Sequence, residues 1–109
     1  MTITAALLIC LAPVAYDGDT VKCGNSHVSI RLFGIQAPEK GTAGDPASTA
    51  SLQANVQGGL ICEPNGTSYS RVVALCTNAA GVDIGAAQLA GGFAVEWCAY
   101  SKNYYHTCP

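Results

Sequence analysis

The stretch Tyr16-Asp17-Gly18-Asp19, followed by Thr20-Val21-Lys22-Cys23, decides how the first third of the chain folds. Asp-Gly between two apolar runs supplies residues that tolerate the backbone of a tight turn, the strongest short signal for a hairpin. The apolar run from Ile3 to Ala15 enters this turn, and Thr20 to Cys23 returns from it. A Cys10–Cys23 bridge would centre the hairpin between Tyr16 and Asp17, so cysteine spacing and turn agree.

Outward from the hairpin, Gly24-Asn25-Ser26 turns the chain again, and His27 to Ile35 alternates as a strand. Val28, Ile30 and Leu32 share one face; His27, Ser29, Arg31 and Phe33 share the other. After a loop from Gln36 to Gly44, Asp45 is suited to an N-cap and Pro46 to the first helical position. Leu52 and Val56 lie one turn apart in this first helix, which stops at Gly58-Gly59. Leu60 to Glu63 and Arg71 to Thr77 are read as strands joined by a loop holding Asn65-Gly66 and Tyr69-Ser70-Arg71. The sequon Asn65-Gly66-Thr67 is better explained as a turn. Cys62 and Cys76 have their midpoint at Tyr69, inside that loop. Asp83 caps a second helix that ends at Gly91-Gly92, and Phe93 to Trp97 makes a last strand. Cys98 and Cys108 pair by proximity. The expectation is one domain, 1–109, of α+β class and mainly β. A barrel built from five of these strands, with two short helices, then suits an OB-type antiparallel architecture stapled by disulfides.

Composition bounds the function. The chain has 109 residues, 50% hydrophobic and 11% charged, which excludes disorder. Net charge is −2, so no global positive field draws in nucleic acid, and phosphate chemistry must rest on a few local arginines. The six cysteines are an even number without a C-x₂-C pair, and His27 and His106 lie far apart. Bridges therefore suit the chain better than zinc, and an oxidising location, periplasmic or secreted, is expected. Ala5 to Ala15 lacks the cationic flank of a signal peptide, and cleavage after Ala15 would strand an odd cysteine. It is read as a buried strand of a mature chain whose own signal is replaced by an initiator Met. It is also too short to span a bilayer. A cytoplasmic protein with free thiols is the alternative, and a monomer is favoured.

Three clusters carry chemistry: Asp17-Gly18-Asp19-Thr20, Ile30-Arg31-Leu32-Phe33-Gly34-Ile35-Gln36-Ala37-Pro38-Glu39, and Tyr69-Ser70-Arg71. Planar guanidiniums donate bidentate bonds to a phosphodiester whose charge grows during attack, and carboxylates hold a hard cation and orient water. In this order, with Gly44-Asp45-Pro46-Ala47-Ser48 opening a helix and Leu89-Ala90-Gly91-Gly92-Phe93-Ala94 following another, the clusters resemble the staphylococcal nuclease (thermonuclease) family of OB-fold enzymes. The resemblance runs from the first strand to Tyr100.

That resemblance implies a calcium-dependent nuclease hydrolysing DNA or RNA. It places Asp19 as a calcium-binding carboxylate and the Ala37 carbonyl as a backbone ligand. Glu39 would position or deprotonate the attacking water, and Arg31 and Arg71 would grip the scissile phosphate. Tyr69 and Tyr100 would line the nucleotide pocket. Gln36 stands where the family keeps a second calcium-binding Asp, so calcium is expected to bind weakly. Ser70 replaces a customary Gly, and Ser68 replaces a lysine that helps bind terminal phosphate. The second expectation is therefore a catalytically weak OB module that binds a nucleotide, a single strand or a protein partner. Trp97, Tyr100, Tyr104 and Tyr105 make either a stacking surface for bases or a plug for a small core.

Overall fold

A computed structural model describes residues 6–109, so the Ile3–Ala5 part of the expected first strand lies outside the described residues. The remainder of that run forms two strands, Leu8–Cys10 (β1) and Val14–Ala15 (β2). Ala12, at φ 48°, and Pro13, which has no N–H for a ladder, separate them. Nor is the run buried throughout. Cys10 is inside, whereas Leu7, Ile9, Leu11 and Val14 are exposed. Period-two alternation makes this inevitable once only one face of the strand has a core to meet.

Thr20–Lys22 (β3) pairs with β2 so that Val14 faces Lys22 and Ala15 faces Val21, which centres the turn on Gly18 rather than between Tyr16 and Asp17. Ser29–Leu32 (β4) follows antiparallel to β3, and His27 sits before it in a left-handed turn at φ 60°, not in the strand. Ile35–Gln36 (β5) is a separate short strand. The helix Asp45–Asn55 (α1) begins one residue earlier than expected. Asp45 does not cap it, because its carboxylate turns back to accept from the Gly41 amide (3.0 Å) and the Thr49 hydroxyl (2.8 Å).

The strands Leu60–Ser68 (β6) and Arg71–Asn78 (β7) are longer than their apolar cores and meet at the two-residue turn Tyr69-Ser70. Asn65-Gly66 is therefore no loop. A register shift between Pro64 and Gly66 absorbs the proline and an unpaired residue as a bulge within the ladder. The helix Ile84–Ala90 (α2) is capped by Asp83, whose carboxylate accepts from the Ala86 amide, as its sequence predicts. Val95–Glu96 (β8) pairs with β5, and a short third helix, Cys98–Ser101 (α3), follows.

The architecture is α+β and mainly β, but with eight strands and three helices among the described residues rather than five and two. Six strands form one sheet in the order β1-β6-β7-β4-β3-β2. The β4–β7 pair is parallel, against the all-antiparallel expectation, because β7 enters between β4 and β6 after the α1 connection. β1 and β2 occupy opposite ends of that order, yet their three intervening residues span no more than roughly 14 Å. The sheet therefore curls until its ends approach each other. Ile30, Leu32, Ile35, Leu52, Val56 and Ile84 fill its concave side together with two disulfides.

All three expected bridges are present, with Cα separations of 5.1 Å for Cys10–Cys23, 4.1 Å for Cys62–Cys76 and 5.9 Å for Cys98–Cys108. Cys62 and Cys76 are direct cross-strand partners. Cys10 is not opposite Cys23 in a hairpin; its strand pairs with β6, and the bridge ties that end of the sheet to β3. In a domain this small each closed loop of 10 to 14 residues contributes about 3 kcal/mol in the chain-entropy account.

Candidate active site

The turn at Asp17-Gly18-Asp19 is pressed onto α1. A Cβ on Gly18 would stand 1.7 Å from Ser48 Oγ and 2.8 Å from the Ala37 Cβ, so only glycine permits this approach. Gln88, fully buried on α2, donates from Nε2 to the carbonyls of Gly18 (2.8 Å) and Ser48 (3.1 Å), while its Oε1 accepts from the Ser51 hydroxyl (2.7 Å). Both helices thus set the height of the turn over the rim.

Asp19, delivered by that turn, is nearly buried. Its Oδ2 accepts from the Ala37 amide at 2.8 Å and lies 3.4 Å from Arg31 Nη2; its Oδ1 accepts from the Thr20 hydroxyl at 3.1 Å. A carboxylate has about four lone-pair sites, and these contacts use three. Asp17 is beside it, with Oδ1 accepting from the Asp19 amide at 3.1 Å. Burial and the neighbouring Asp19 carboxylate raise the Asp17 pKa above its ordinary value.

Arg31 leaves the aliphatic face of β4, as its alternation predicts, but is 9% exposed rather than solvated. Nη1 donates to the Leu32 carbonyl at 2.9 Å, and the guanidinium carbon lies 5.6 Å from the Trp97 ring centroid. Burial lowers its pKa, Asp19 opposes that shift, and Arg71 adds to it; the group keeps its charge. Arg71 is held more loosely, by the Ser68 carbonyl (3.4 Å) and the Ser68 hydroxyl (3.2 Å), with its guanidinium carbon 5.9 Å from the Tyr69 ring.

These residues share one cleft of about 350 Å³. Arg31, Glu39 and Arg71 line it, and so do Asp19, Gln36 and Ala37. Tyr69 and Tyr100 stand on its rim, both exposed. The Glu39 backbone carbonyl accepts from Thr42, while its carboxylate has no hydrogen-bond partner among the described residues. Lys40 is occupied at the wall, donating to the Tyr16 carbonyl with its ammonium 4.6 Å from the Tyr16 ring. A second chamber of about 310 Å³ adjoins the cleft; it shares Arg31, Ser68, Trp97 and Tyr100, and Phe33, Gly34 and Val73 give it an apolar wall.

The aromatic residues divide into two groups. Trp97 and Tyr100 pack with centroids 4.1 Å apart beside the cleft, whereas Tyr104 is exposed and packs edge-on against Phe33 and Tyr105, and Tyr105 packs against the core. Asp17, Gln88 and Trp97 escape a motif reading. Asp17 is indistinguishable from a turn residue in sequence, and Gln88 from any polar helix position. Trp97 stands out in the sequence only as one of four aromatics suited to a stacking surface or a core plug.

Among the described residues no group of three or more His, Cys, Asp or Glu side chains is arranged to hold a metal ion. The cleft does offer oxygen donors only: one open position on Asp19, the neighbouring Asp17 carboxylate, the Gln36 amide and the Ala37 carbonyl. That set suits a hard cation at low charge count, hence weakly. No protein-family model matches the sequence, and no curated protein matches it.

Proposed function

We propose that the chain is a phosphodiesterase that hydrolyses DNA or RNA with the help of weakly bound calcium, on a frame of OB type whose first strand is split into β1 and β2. The observation that carries this reading is the convergence of two guanidiniums, Arg31 and Arg71, with the unpartnered Glu39 carboxylate in one cleft. Arg71 comes from a different strand, well beyond Arg31 and Glu39 in sequence, so proximity along the chain does not explain its place beside them.

Arg31 and Arg71 bind the non-bridging oxygens and stabilise the charge that grows there as water attacks. Glu39 takes the proton from that water as its oxygen bonds to phosphorus. The bond from phosphorus to the leaving sugar oxygen breaks, and that oxygen takes a proton from solvent. Asp19, Gln36 and the Ala37 carbonyl would hold calcium, which supplies Lewis-acid stabilisation of the phosphoryl group when bound. The adjoining chamber, with its apolar wall and polar rim, is sized for an unstacked base.

Three disulfides accord with export to an oxidising compartment. No helix among the described residues is long and apolar enough to cross a membrane. The second reading, a binding module without turnover, draws on Gln36 and on an Asp19 already engaged by three protein groups. Incubation of plasmid DNA and of single-stranded RNA with the protein separates the two. Degradation with added calcium, spared by chelator, supports the nuclease; binding of either nucleic acid without degradation supports the module.

A further inference from the structure

The two arginines of the cleft are not held alike. Arg71 leans on a single residue, Ser68, and on the exposed Tyr69 ring. Arg31 is held by a hydrogen bond to the Leu32 carbonyl and an ion pair with Asp19 at 3.4 Å, and its guanidinium carbon lies 5.6 Å from the Trp97 ring centroid. One hydrogen bond and one ion pair leave a guanidinium free to tilt, and an aromatic ring beside it restricts that freedom. Two like charges facing one cleft also repel, so Arg31 needs such restraint if it is to point at a phosphate before the phosphate arrives.

Trp97 is itself built in. It follows β8 directly, its amide donates to the Gly34 carbonyl at 2.7 Å, and Tyr100 packs on its ring. On its far side Cys98 is tied to Cys108, and the Glu96 carboxylate gathers Ser101, Tyr105 and Thr107. With its ring engaged by both Arg31 and Tyr100, it is poorly placed to stack a base. We propose that Trp97 is a positioning residue that pre-orients the Arg31 guanidinium toward the bound phosphate, leaving Arg71 as the arginine that moves. The proposal rests on the reading of the cleft as a phosphate site.

The test is a double-mutant cycle of Trp97→Leu with Arg31→Ala, read in two ways. On single-stranded DNA with calcium, Trp97→Leu should lower kcat about tenfold with KM within about twofold, and Trp97→Phe should recover most of that loss. The many other contacts of a polynucleotide mask in KM the weaker grip on a single phosphate that calorimetry reads, and in the Arg31→Ala background Trp97→Leu should cost nothing further. An equal loss in both backgrounds would make Trp97 merely structural and overturn the proposal, as would an undiminished kcat. The second reading uses inorganic phosphate by calorimetry and needs no turnover. Trp97→Leu should weaken phosphate binding only where Arg31 is present, and unchanged affinity in both backgrounds would overturn the proposal. A wild type that cleaves nothing yet shows this coupling would remove the nuclease reading and leave the positioning role intact. If Trp97→Leu fails to fold, Trp97→Phe carries the cycle with an expected loss of about twofold.

Discussion

Gln88 Nε2 donates to the Gly18 carbonyl at 2.8 Å across 70 residues of sequence, and through this bond α2 holds the turn that presents Asp19. Gln88→Leu keeps the volume but leaves the Gly18 and Ser48 carbonyls without that donor in a dry interior. The expected loss is about 1–3 kcal/mol, read by chemical denaturation. Gly18→Ala should cost at least as much, because the added methyl meets Ser48 and Ala37. An unchanged midpoint in both variants would mean that the turn is not held from below.

Arg31→Ala and Arg71→Ala should each lower turnover on the order of 10²-fold, the usual consequence of removing a transition-state donor. Their effects on stability should differ. Removing Arg31 strips the nearly buried Asp19 of its cation and should cost about 1–3 kcal/mol, moderated by the Ala37 and Thr20 donors that remain. Among the described residues Arg71 bonds only to Ser68, and its removal should leave the melting temperature nearly unchanged. Wild-type turnover in both variants would end the nuclease reading.

How much of this was legible in the sequence depended on whether a feature is local. The Cys62–Cys76 bridge follows from spacing across one hairpin and the Asp83 cap from its immediate neighbours, and both are found. The three clusters come to line one cleft because the fold carries their turn and strand segments to one rim. The strand count was not legible, since the break at Ala12 comes from a left-handed backbone that an alanine does not advertise. Asp45 looks like a cap from its neighbours alone, and only the folded loop shows that Gly41 takes its carboxylate. Gln88 is buried because the first turn and α1 meet it from distant parts of the chain.

Gln36 lies exposed on β5 at the edge of the cleft, so a shorter acidic side chain there meets no packing obstacle. Gln36→Asp adds a charge to the oxygen donors and should tighten calcium from about 10⁻⁴–10⁻³ M by at least tenfold, with faster cleavage at limiting calcium. Calorimetric titration beside turnover at each calcium concentration decides it. Equal affinities would show that position 36 does not face the ion.

Glu96 fastens the C-terminal segment behind Trp97. Burial alone would raise its pKa, but bonds from the Ser101 hydroxyl, the Tyr105 amide and the Thr107 hydroxyl and amide outweigh that and lower it to about 2. A carboxyl lowered on folding stabilises fully above its unfolded pKa near 4.5, and that contribution fades as pH falls toward 2. The tail should therefore stay docked at pH 5 and loosen progressively below about pH 4.5. Glu96→Gln should loosen it already at pH 7 and flatten this acid dependence. Fluorescence of Trp97, the single tryptophan, reports both effects, and an identical pH profile in the variant would refute the assignment.

Tyr69 is 98% exposed and sits at φ 57°, the left-handed region, in the two-residue turn between β6 and β7. A bulky residue there costs about 1–2 kcal/mol of backbone strain, which its exposed ring does not recover by burial. Glycine adopts that conformation freely and gives back only about 0.5–1 kcal/mol through the greater entropy of its unfolded chain. Tyr69→Gly should therefore melt no lower than the wild type and up to a few degrees higher. The same change removes the aromatic rim of the cleft and the ring beside Arg71, so KM for a single-stranded substrate should rise severalfold. Greater stability with weaker binding would mark Tyr69 as a residue kept for substrate at the expense of its turn. A lower melting temperature with unchanged KM would show instead that the ring supports the fold.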